Sequence, residues 1–242
     1  MASFHFKIKS GKKGSALRHA SYITRANTFF SDRETSDLLA TGYGNLPEWA
    51  AGSPEMFWGA SDKNERKNGT TYRELEFALP RELTLEQNID LVTTLIAERL
   101  GDKPYQYAIH CPNAAIDGGR QPHAHVMYSD RLPDGIERSP EQHFRRHNPQ
   151  CPELGGCRKD GGAASRSALR ANVIAERSYF ANLQNSRLAE HGHAARVDHR
   201  SFADRGLDVL PEKHLGQAGV RGLNQVATEA FIAHRAQSIR LF

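Results

Sequence analysis

Four short segments with the pattern of β-strands constrain the fold of this chain more than any other feature. In the first, Phe4, Phe6 and Ile8 alternate with polar residues, which is the period of a strand with one apolar face. The other three lie at residues 73–79, 105–110 and 123–129. Because helix-forming segments lie between and after these strands, the sequence predicts an α+β fold in which helices cover one sheet.

Capping residues predict where several helices begin and end. Ser15 is a candidate N-cap for a helix that continues to about Arg25. Thr84 and Gln87 form a capping box for a helix that Gly101 ends. Further helices are predicted over residues 165–190 and 225–238. The predicted loops cover residues 10–15, 26–70 (with one short helix), 112–122 and 130–164.

The composition excludes several classes of protein. The 242 residues are 38% hydrophobic and include three cysteines, which is enough for a core and too few for a disulfide framework. Few cysteines are typical of a reducing cytoplasm. No apolar run approaches the roughly 20 residues of a membrane helix, and the N-terminus lacks the apolar part of a secretory signal. We expect no membrane insertion and a single domain over residues 1–242, with a core of about 1–200 and a C-terminal extension.

Positive charge is concentrated at the N-terminus. Residues 1–31 carry six basic residues and no acid, whereas residues 32–100 carry 13 acids and 7 bases. The formal net charge of +4 therefore conceals a basic block that could pair with nucleic-acid phosphates. A solvated basic terminus explains the same pattern. The six residues of this N-terminal basic block are Lys7, Lys9, Lys12, Lys13, Arg18 and Arg25.

Three histidines are candidate metal ligands. His123 and His125 flank Ala124 on a predicted strand, so both imidazoles project from the same face. His110 ends the preceding predicted strand and can supply a third nitrogen if the two strands pair. Three histidines with open coordination positions are typical of a catalytic metal site. Surface histidines on a half-exposed strand are the alternative interpretation, and the residues alone leave both open.

Two further histidine groups are weaker candidates. His191 and His193 lie where the predicted helix 165–190 ends near Gly192, so the cap and the helix dipole explain them. A second group could in principle bind zinc, but its spacing matches no familiar zinc pattern, and its cysteines have no assigned role. Its members are His143, His147, Cys151 and Cys157.

Tyr22 is the candidate nucleophile. Arg18, His19 and Arg25 lie three or four residues from it on a predicted helix and share its face. Positive charge beside a phenol favours the phenolate, which is the nucleophilic form. A tyrosine that packs its ring against the sheet is the alternative interpretation.

Two carboxylates lie on one face of a predicted strand. Glu74 and Glu76 alternate with the apolar Leu75 and Phe77. Since buried acids are costly without partners, one of them could orient a metal-bound histidine or accept a proton. A solvated outer face explains them equally well.

Together these motifs resemble the relaxases of the MobA/MobL (MOBQ) group, within the HUH endonuclease superfamily. In relaxases the tyrosine precedes the H-x-H motif, as Tyr22 precedes His123 here, whereas rolling-circle initiators and related transposases have the reverse order. The similar segments are F-H-F-K-I-K-S-G at 4–11, H-A-S-Y-I-T-R at 19–25, Y-R-E-L-E-F-A-L-P-R-E-L-T at 72–84, A-I-H at 108–110, P-H-A-H-V-M at 122–127, D-G-I-E-R at 134–138, and V-D-H-R with P-E-K-H-L-G within 197–216.

The resemblance implies a fold, a reaction and a site. The fold is α+β, with a central antiparallel β-sheet flanked by helices. Tyr22 would attack a phosphodiester of single-stranded DNA at a plasmid origin of transfer, leaving a covalent 5′-phosphotyrosine and a free 3′-OH. His110, His123 and His125 would hold a divalent metal ion, Mg²⁺ or Mn²⁺. Glu74 would act beside the metal as an orienting group or a proton acceptor.

The resemblance also implies partners. Arg18, Arg25 and the four lysines of the N-terminal basic block would hold phosphates of the single strand. Accessory relaxosome proteins and a coupling protein are expected in a bacterial cytoplasm. Because family members commonly continue into further domains, the chain is interpreted either as the nicking part of one or as a compact member.

Two other functions are alternatives. An HUH rolling-circle replication initiator or transposase would share the chemistry. A non-catalytic single-stranded DNA-binding protein would use the basic N-terminus while its histidines are structural.

Overall fold

A single five-stranded antiparallel β-sheet organises the protein. The computed structural model describes residues 4–26, 37–113, 119–161, 165–194, 196–208 and 222–239. Across the sheet in these ranges, the strand order is β1-β3-β5-β4-β2, with neighbouring strands antiparallel. The predicted α+β fold with a central antiparallel sheet is therefore confirmed. The strands are β1 (Phe6–Lys12), β2 (Leu38–Gly44), β3 (Thr70–Ala78), β4 (Tyr105–His110) and β5 (His123–Tyr128).

The helices largely follow their sequence signals. Thr84 and Gln87 form the predicted capping box, and Gly192 follows the long helix with a left-handed φ of 78°. No helix in the described part of the chain is long and apolar enough to cross a bilayer. The α-helices are α1 (Ala16–Ile23), α2 (Pro54–Asn64), α3 (Leu85–Leu100), the one-turn α4 (Pro140–His143), α5 (Arg166–Glu190) and α6 (Gln225–Ile239).

Helices α3 and α5 bury the larger core against one face of the sheet. Every second residue of each strand points to this face, so the apolar positions of the predicted strands meet the apolar stripes of the two helices. Burying large side chains of this kind contributes about 1.5–3 kcal/mol each. The core includes Phe6, Leu75, Phe77, Leu91, Leu95, Val126, Phe180 and Leu188.

Helices α1 and α2 cover part of the opposite face. Their side chains form a second, smaller core with Met127, Tyr72 and Phe144. The candidate metal ligands and carboxylates project from this same face of the sheet.

The prediction for residues 26–70 was wrong in one respect. Only loops and a short helix were expected, yet the segment contains the edge strand β2 as well as α2; residues 27–36 lie outside the described residues. The glycines of β2 were interpreted as loop residues. A Cβ at Gly42 would lie 2.4 Å from Cε1 of Tyr107 on the neighbouring strand, so this position needs a glycine because an aromatic ring lies over it.

The start of α1 also differs from its prediction. Residues 10–15 were predicted as a loop, but β1 continues to Lys12. Ser15 does precede α1, yet its hydroxyl donates to the Lys12 carbonyl (2.6 Å) and makes no cap. Instead the Asp62 carboxylate, on α2, accepts the backbone N–H groups of Gly14, Ala16 and Leu17 at 2.8–3.0 Å. This contact satisfies the free donors at the helix N-terminus.

Candidate active site

Strand pairing brings the three candidate histidines together. His110, the last residue of β4, lies opposite His123, the first residue of β5. His125 follows two positions later and projects from the same face. The centroids of the three rings are 5.2–5.5 Å apart.

Each of these histidines has an oxygen acceptor beside Nδ1. The Nδ1 atom of His110 lies 3.4 Å from Oδ1 of Asp37, and that of His123 lies 2.9 Å from the Gln121 carbonyl oxygen. His125 Nδ1 lies 2.6 Å from Oε1 of Glu74. An oxygen acceptor at Nδ1 places the proton there and leaves the Nε2 lone pair for another ligand.

The histidine site fits a metal ion in two ways. Nε2 of His110 is buried and has no hydrogen-bond partner among the described residues, which is costly unless an ion or water occupies the space beside it. Burial, with the nearby Arg25 charge, lowers the pKa of His110 to about 4, and burial also lowers the pKa of His123. Both imidazoles are therefore neutral near pH 7, which is the form that binds metals.

Glu74 orients the site from the neighbouring strand β3. Its side chain is 1% exposed, and its Oε1 lies 3.1 Å from Nε2 of His19 as well as beside His125. Burial opposes ionisation, but the hydrogen bond from His125 and the adjacent His19 imidazole outweigh it and lower the pKa of Glu74 to about 2. Glu74 is therefore a charged carboxylate that joins α1 to a histidine of the site.

A second set of potential metal ligands shares His125 with the three histidines. One ligand atom each of Glu74, Glu76 and His125 lies within 4.8 Å of the others, the one such set in the described part of the chain. The nitrogens of the three histidines do not lie within this distance of one another, so their rings must move closer together to bind one ion at N–metal distances of about 2.1 Å. Both carboxylates already have a cationic partner within the protein, because Lys9 Nζ pairs with Glu76 and lies 3.7 Å from Glu74. We therefore favour the histidines as the metal ligands.

Tyr22 lies on the last turn of α1 with its side chain accessible. It is 49% exposed, so it does not pack against the sheet as a core tyrosine would. The His19 ring stacks beside it with centroids 6.2 Å apart, and the Arg25 guanidinium carbon lies 5.0 Å from the ring centroid. Two of the three neighbours expected from the sequence, His19 and Arg25, therefore lie beside the Tyr22 ring.

Two carboxylates join the surroundings of Tyr22 to the histidines. Glu74 bridges His19 to His125, and Asp37 bridges Arg25 to His110. Asp37 has no signal of its own in the sequence, because it lies in a segment predicted as loops and a short helix. It lies beside His110 because β2 pairs with β4, where the Asp37 carbonyl accepts the Cys111 N–H (2.7 Å).

The N-terminal basic block divides into two groups. Lys7, Lys12 and Arg18 are exposed and make no ion pair with another described residue. The other three are engaged within the protein. Lys9 pairs with Glu76, Lys13 donates to two backbone carbonyls at 2.6 and 3.0 Å, and Arg25 pairs with Asp37 at 3.0 Å.

The remaining candidates lie away from this site. A cavity of about 660 Å³ lies at the opposite end of the sheet, beside Trp49 and Pro104; His143 and Cys157 line it, whereas Tyr22, Glu74 and the three histidines of the site do not. Cys157 lies 3.4 Å from Nδ1 of His143, and burial raises the pKa of its thiol. His147 and Cys151 do not complete a metal set with them in the described part of the chain.

A sequence profile described as the MobA/MobL family matches residues 15–223, which include Tyr22, Glu74 and all three histidines. The chain belongs to the MobA/MobL family. It is 46% identical over 209 residues to the "43 kDa relaxation protein" of Salmonella typhimurium, covering 86% of this chain and 56% of the relative. It is also 38% identical over 224 residues to "Mobilization protein A" of Escherichia coli, covering 89% of this chain and 30% of the relative.

A solved structure has the same fold. It is described as "Molecular Basis of Vancomycin Resistance Transfer in Staphylococcus aureus", and it superposes with a TM-score of 0.57 at 21% identity. The match covers 83% of this chain and 100% of the other. The chain thus spans about half or less of the two curated MobA/MobL relatives, and all of this structural neighbour.

Proposed function

We propose that the chain is the nicking domain of a metal-dependent DNA relaxase that cleaves one strand at a plasmid origin of transfer. The observation that carries this proposal is the exposed Tyr22, whose neighbours are joined through two carboxylates to three converging histidines. The names of the relatives, a relaxation protein and a mobilization protein, support the same function.

Tyr22 is the proposed nucleophile. Its phenol oxygen attacks the phosphorus, so an O–P bond forms and the bond to the 3′-oxygen breaks. The phenol proton is lost to solvent, and the departing 3′-oxygen takes up a proton to become a hydroxyl. The product is a covalent 5′-phosphotyrosine, which keeps the energy of the phosphodiester for later rejoining.

The histidines are the proposed ligands of Mg²⁺ or Mn²⁺ through their Nε2 atoms. When bound, the ion would polarise the phosphate and stabilise its developing charge. Glu74 holds the Nδ1 proton of His125 and so fixes the direction of that ring. With a pKa of about 2, Glu74 is a weak base, so we favour this orienting role over proton acceptance.

The proposed substrate and partners follow from this function. Lys7, Lys12 and Arg18 are exposed members of the N-terminal basic block that make no ion pair with another described residue, and we assign them to the DNA phosphates. We place the protein in the bacterial cytoplasm, where its plasmid substrate lies, with accessory relaxosome proteins and a coupling protein as partners. We treat residues 1–242 as one domain, with a core of about 1–200.

The first test is the change Tyr22→Phe. With a single-stranded oligonucleotide that spans the plasmid nick site, the unaltered protein forms a denaturation-resistant adduct and the variant forms none, because the attacking oxygen is missing. A denaturing gel measures the adduct. Tyr43→Phe is the matched control, since Tyr43 is equally exposed (53%) on β2 and should keep full activity. Adduct formation by Tyr22→Phe would contradict the assignment.

The second test replaces His123 and His125 with Ala. Cleavage should fall by at least about 100-fold, because the ion loses two of its three ligands. Mn²⁺ binding, measured by calorimetry, should fall in parallel, while oligonucleotide binding in a chelator remains. Undiminished cleavage by this double variant would remove the metal role.

A further inference from the structure

Arg25 has an unusual backbone conformation just after the helix that carries Tyr22. Its φ is 54°, in the left-handed region that residues other than glycine rarely adopt. Such conformations persist only when surrounding contacts impose them. At Arg25 these contacts are the backbone hydrogen bonds that end α1, from the Ala26 N–H to the Ser21 carbonyl (3.0 Å) and from the Arg25 N–H to the Tyr22 carbonyl (3.2 Å). From this backbone position the Arg25 guanidinium group contacts two parts of the site, Tyr22 and Asp37.

The guanidinium first contacts Tyr22 itself. Nη1 donates to the Tyr22 backbone carbonyl at 3.1 Å and so occupies an acceptor at the C-terminus of α1. The guanidinium carbon lies 5.0 Å from the centroid of the Tyr22 ring, within the range of a cation–π contact. Arg25 therefore fixes both the backbone and the ring of the proposed nucleophile.

The same guanidinium also binds a carboxylate behind a proposed metal ligand. Nε and Nη2 donate to the two oxygens of Asp37 at 3.2 and 3.0 Å, which is the bidentate geometry that arginine forms with a carboxylate. Oδ1 of Asp37 lies 3.4 Å from Nδ1 of His110. The side chains of Arg25 and Asp37 are only 12% and 17% exposed, so this pair is largely shielded from solvent.

We propose that Arg25 and Asp37 are positioning residues that couple the Tyr22 ring to His110, and that Arg25 does not bind DNA phosphates. The inference rests on the proposed function, because it takes Tyr22 as nucleophile and His110 as metal ligand. It gives Arg25 a different role from the phosphate binding that the family resemblance implies. Lysine cannot take this place, since it lacks the planar fork that contacts both carboxylate oxygens.

The experiment separates positioning from phosphate binding in the variant Arg25→Met. Its cleavage rate at saturating oligonucleotide and excess Mn²⁺ should fall about 10- to 100-fold, because small misplacements of a nucleophile cost that much. Its oligonucleotide affinity, measured by fluorescence anisotropy in a chelator, should stay within about twofold of the unaltered protein. Arg25→Lys should not restore the rate.

Metal affinity gives a readout that does not depend on activity. Asp37→Asn should weaken Mn²⁺ binding to the DNA-free protein about 10- to 100-fold, as the loss of a partner behind a metal-bound histidine does. Arg25→Met should weaken it as well, although Arg25 is not a metal ligand. The double variant should lose no more than the worse single variant, because both residues act through one bridge.

Two controls complete the design. Arg18→Met should lower oligonucleotide affinity, which shows that the binding assay detects a lost phosphate contact. Arg170→Met, on the exposed part of α5, should change none of the three measurements. Thermal denaturation of every variant identifies any loss of folded protein.

The inference is overturned if Arg25→Met lowers oligonucleotide affinity and leaves the saturating rate and Mn²⁺ affinity unchanged. It is also overturned if the effects of Arg25→Met and Asp37→Asn multiply. Failure of the proposed function gives a different result, namely no adduct from the unaltered protein or an adduct from Tyr22→Phe.

Discussion

The three histidines of the site show which residue-level features a sequence can predict. Within a strand, alternation fixes the direction of each side chain, so His123 and His125 were expected on one face, and they lie there. Of their acceptors, Gln121 is two residues before His123 in the chain, and Glu74 was a candidate for an orienting role from its strand position. Asp37 becomes a neighbour of His110 only through strand pairing, and no local signal marks it. The sequence therefore predicted that the histidines converge better than it predicted the group beside His110.

A buried ion pair away from the site gives a pH-dependent prediction at the same scale. Glu65 is 1% exposed and accepts from Arg131 (2.8 Å) and Lys159 (3.1 Å). Burial opposes ionisation, but the Arg131 and Lys159 charges outweigh it and lower the pKa of Glu65. Glu65→Gln should lower the free energy of unfolding by about 3–5 kcal/mol at pH 7, because it leaves the buried Arg131 without its counterion.

The difference in stability between the unaltered protein and Glu65→Gln depends on pH with a definite sign. Since the folded pKa is lowered, the stabilisation is complete above the unfolded pKa of about 4.5 and is lost as the pH falls through the folded value. Urea denaturation of both proteins between pH 7 and pH 3 should show the two stabilities converging in acid. Glu55→Gln, at an exposed position of α2, is the control and should change stability by less than about 0.5 kcal/mol. A difference that stays constant with pH would contradict the prediction.

At the scale of elements, glycine explains the main failure of the sequence analysis. Strands β4 and β5 were found because β-branched, aromatic and alternating residues fill them, whereas β2 contains Gly42 and Gly44. Each of these glycines lies beneath a tyrosine ring of β4. A glycine that makes room for a cross-strand ring cannot be told from a turn glycine without knowing which strand lies beside it.

The cap of α1 gives a prediction for an element. Asp62→Ala should lower the free energy of unfolding by about 1–2 kcal/mol, because three backbone N–H groups at the start of α1 lose their acceptor. Ser15→Ala is the matched control and should cost less, since the Ser15 hydroxyl makes no cap. Thermal and urea denaturation measure both variants. A larger loss for Ser15→Ala would show that the capping role is misassigned.

At the scale of the whole molecule, folding brings segments of opposite charge into contact. The basic residues 1–31 and the acidic residues 32–100 look separate in the sequence. In the fold, β1 pairs with β3, and Lys9 lies against Glu74 and Glu76. Part of the basic block is therefore neutralised by the acidic segment. The positive surface available to the proposed DNA substrate is smaller than the composition suggests.

The division of the N-terminal basic block into two groups, one engaged within the protein and one not, predicts how oligonucleotide binding responds to salt. In a Tyr22→Phe background, Lys12→Met and Arg18→Met should each reduce the slope of log K against log salt by about 0.7, the value for one phosphate contact on a single strand. Lys9→Met should leave the slope unchanged, because its charge is already compensated by Glu76. Anisotropy titrations at several salt concentrations measure the slopes. An equal loss of slope for Lys9→Met and Lys12→Met would refute the division.

The strand order has a consequence for how the chain assembles during synthesis. Strand β5 is the last of the five to leave the ribosome, yet it lies in the middle of the sheet, between β3 and β4. Without β5, the β1–β3 pair and the β2–β4 pair share no hydrogen-bonded edge, and the inner edge of each has unpaired backbone groups. Pairing of β5 joins them and brings His123 and His125 into place in the same step. Under the proposed function, the nascent chain thus gains its metal site beside Tyr22 only when its sheet is closed.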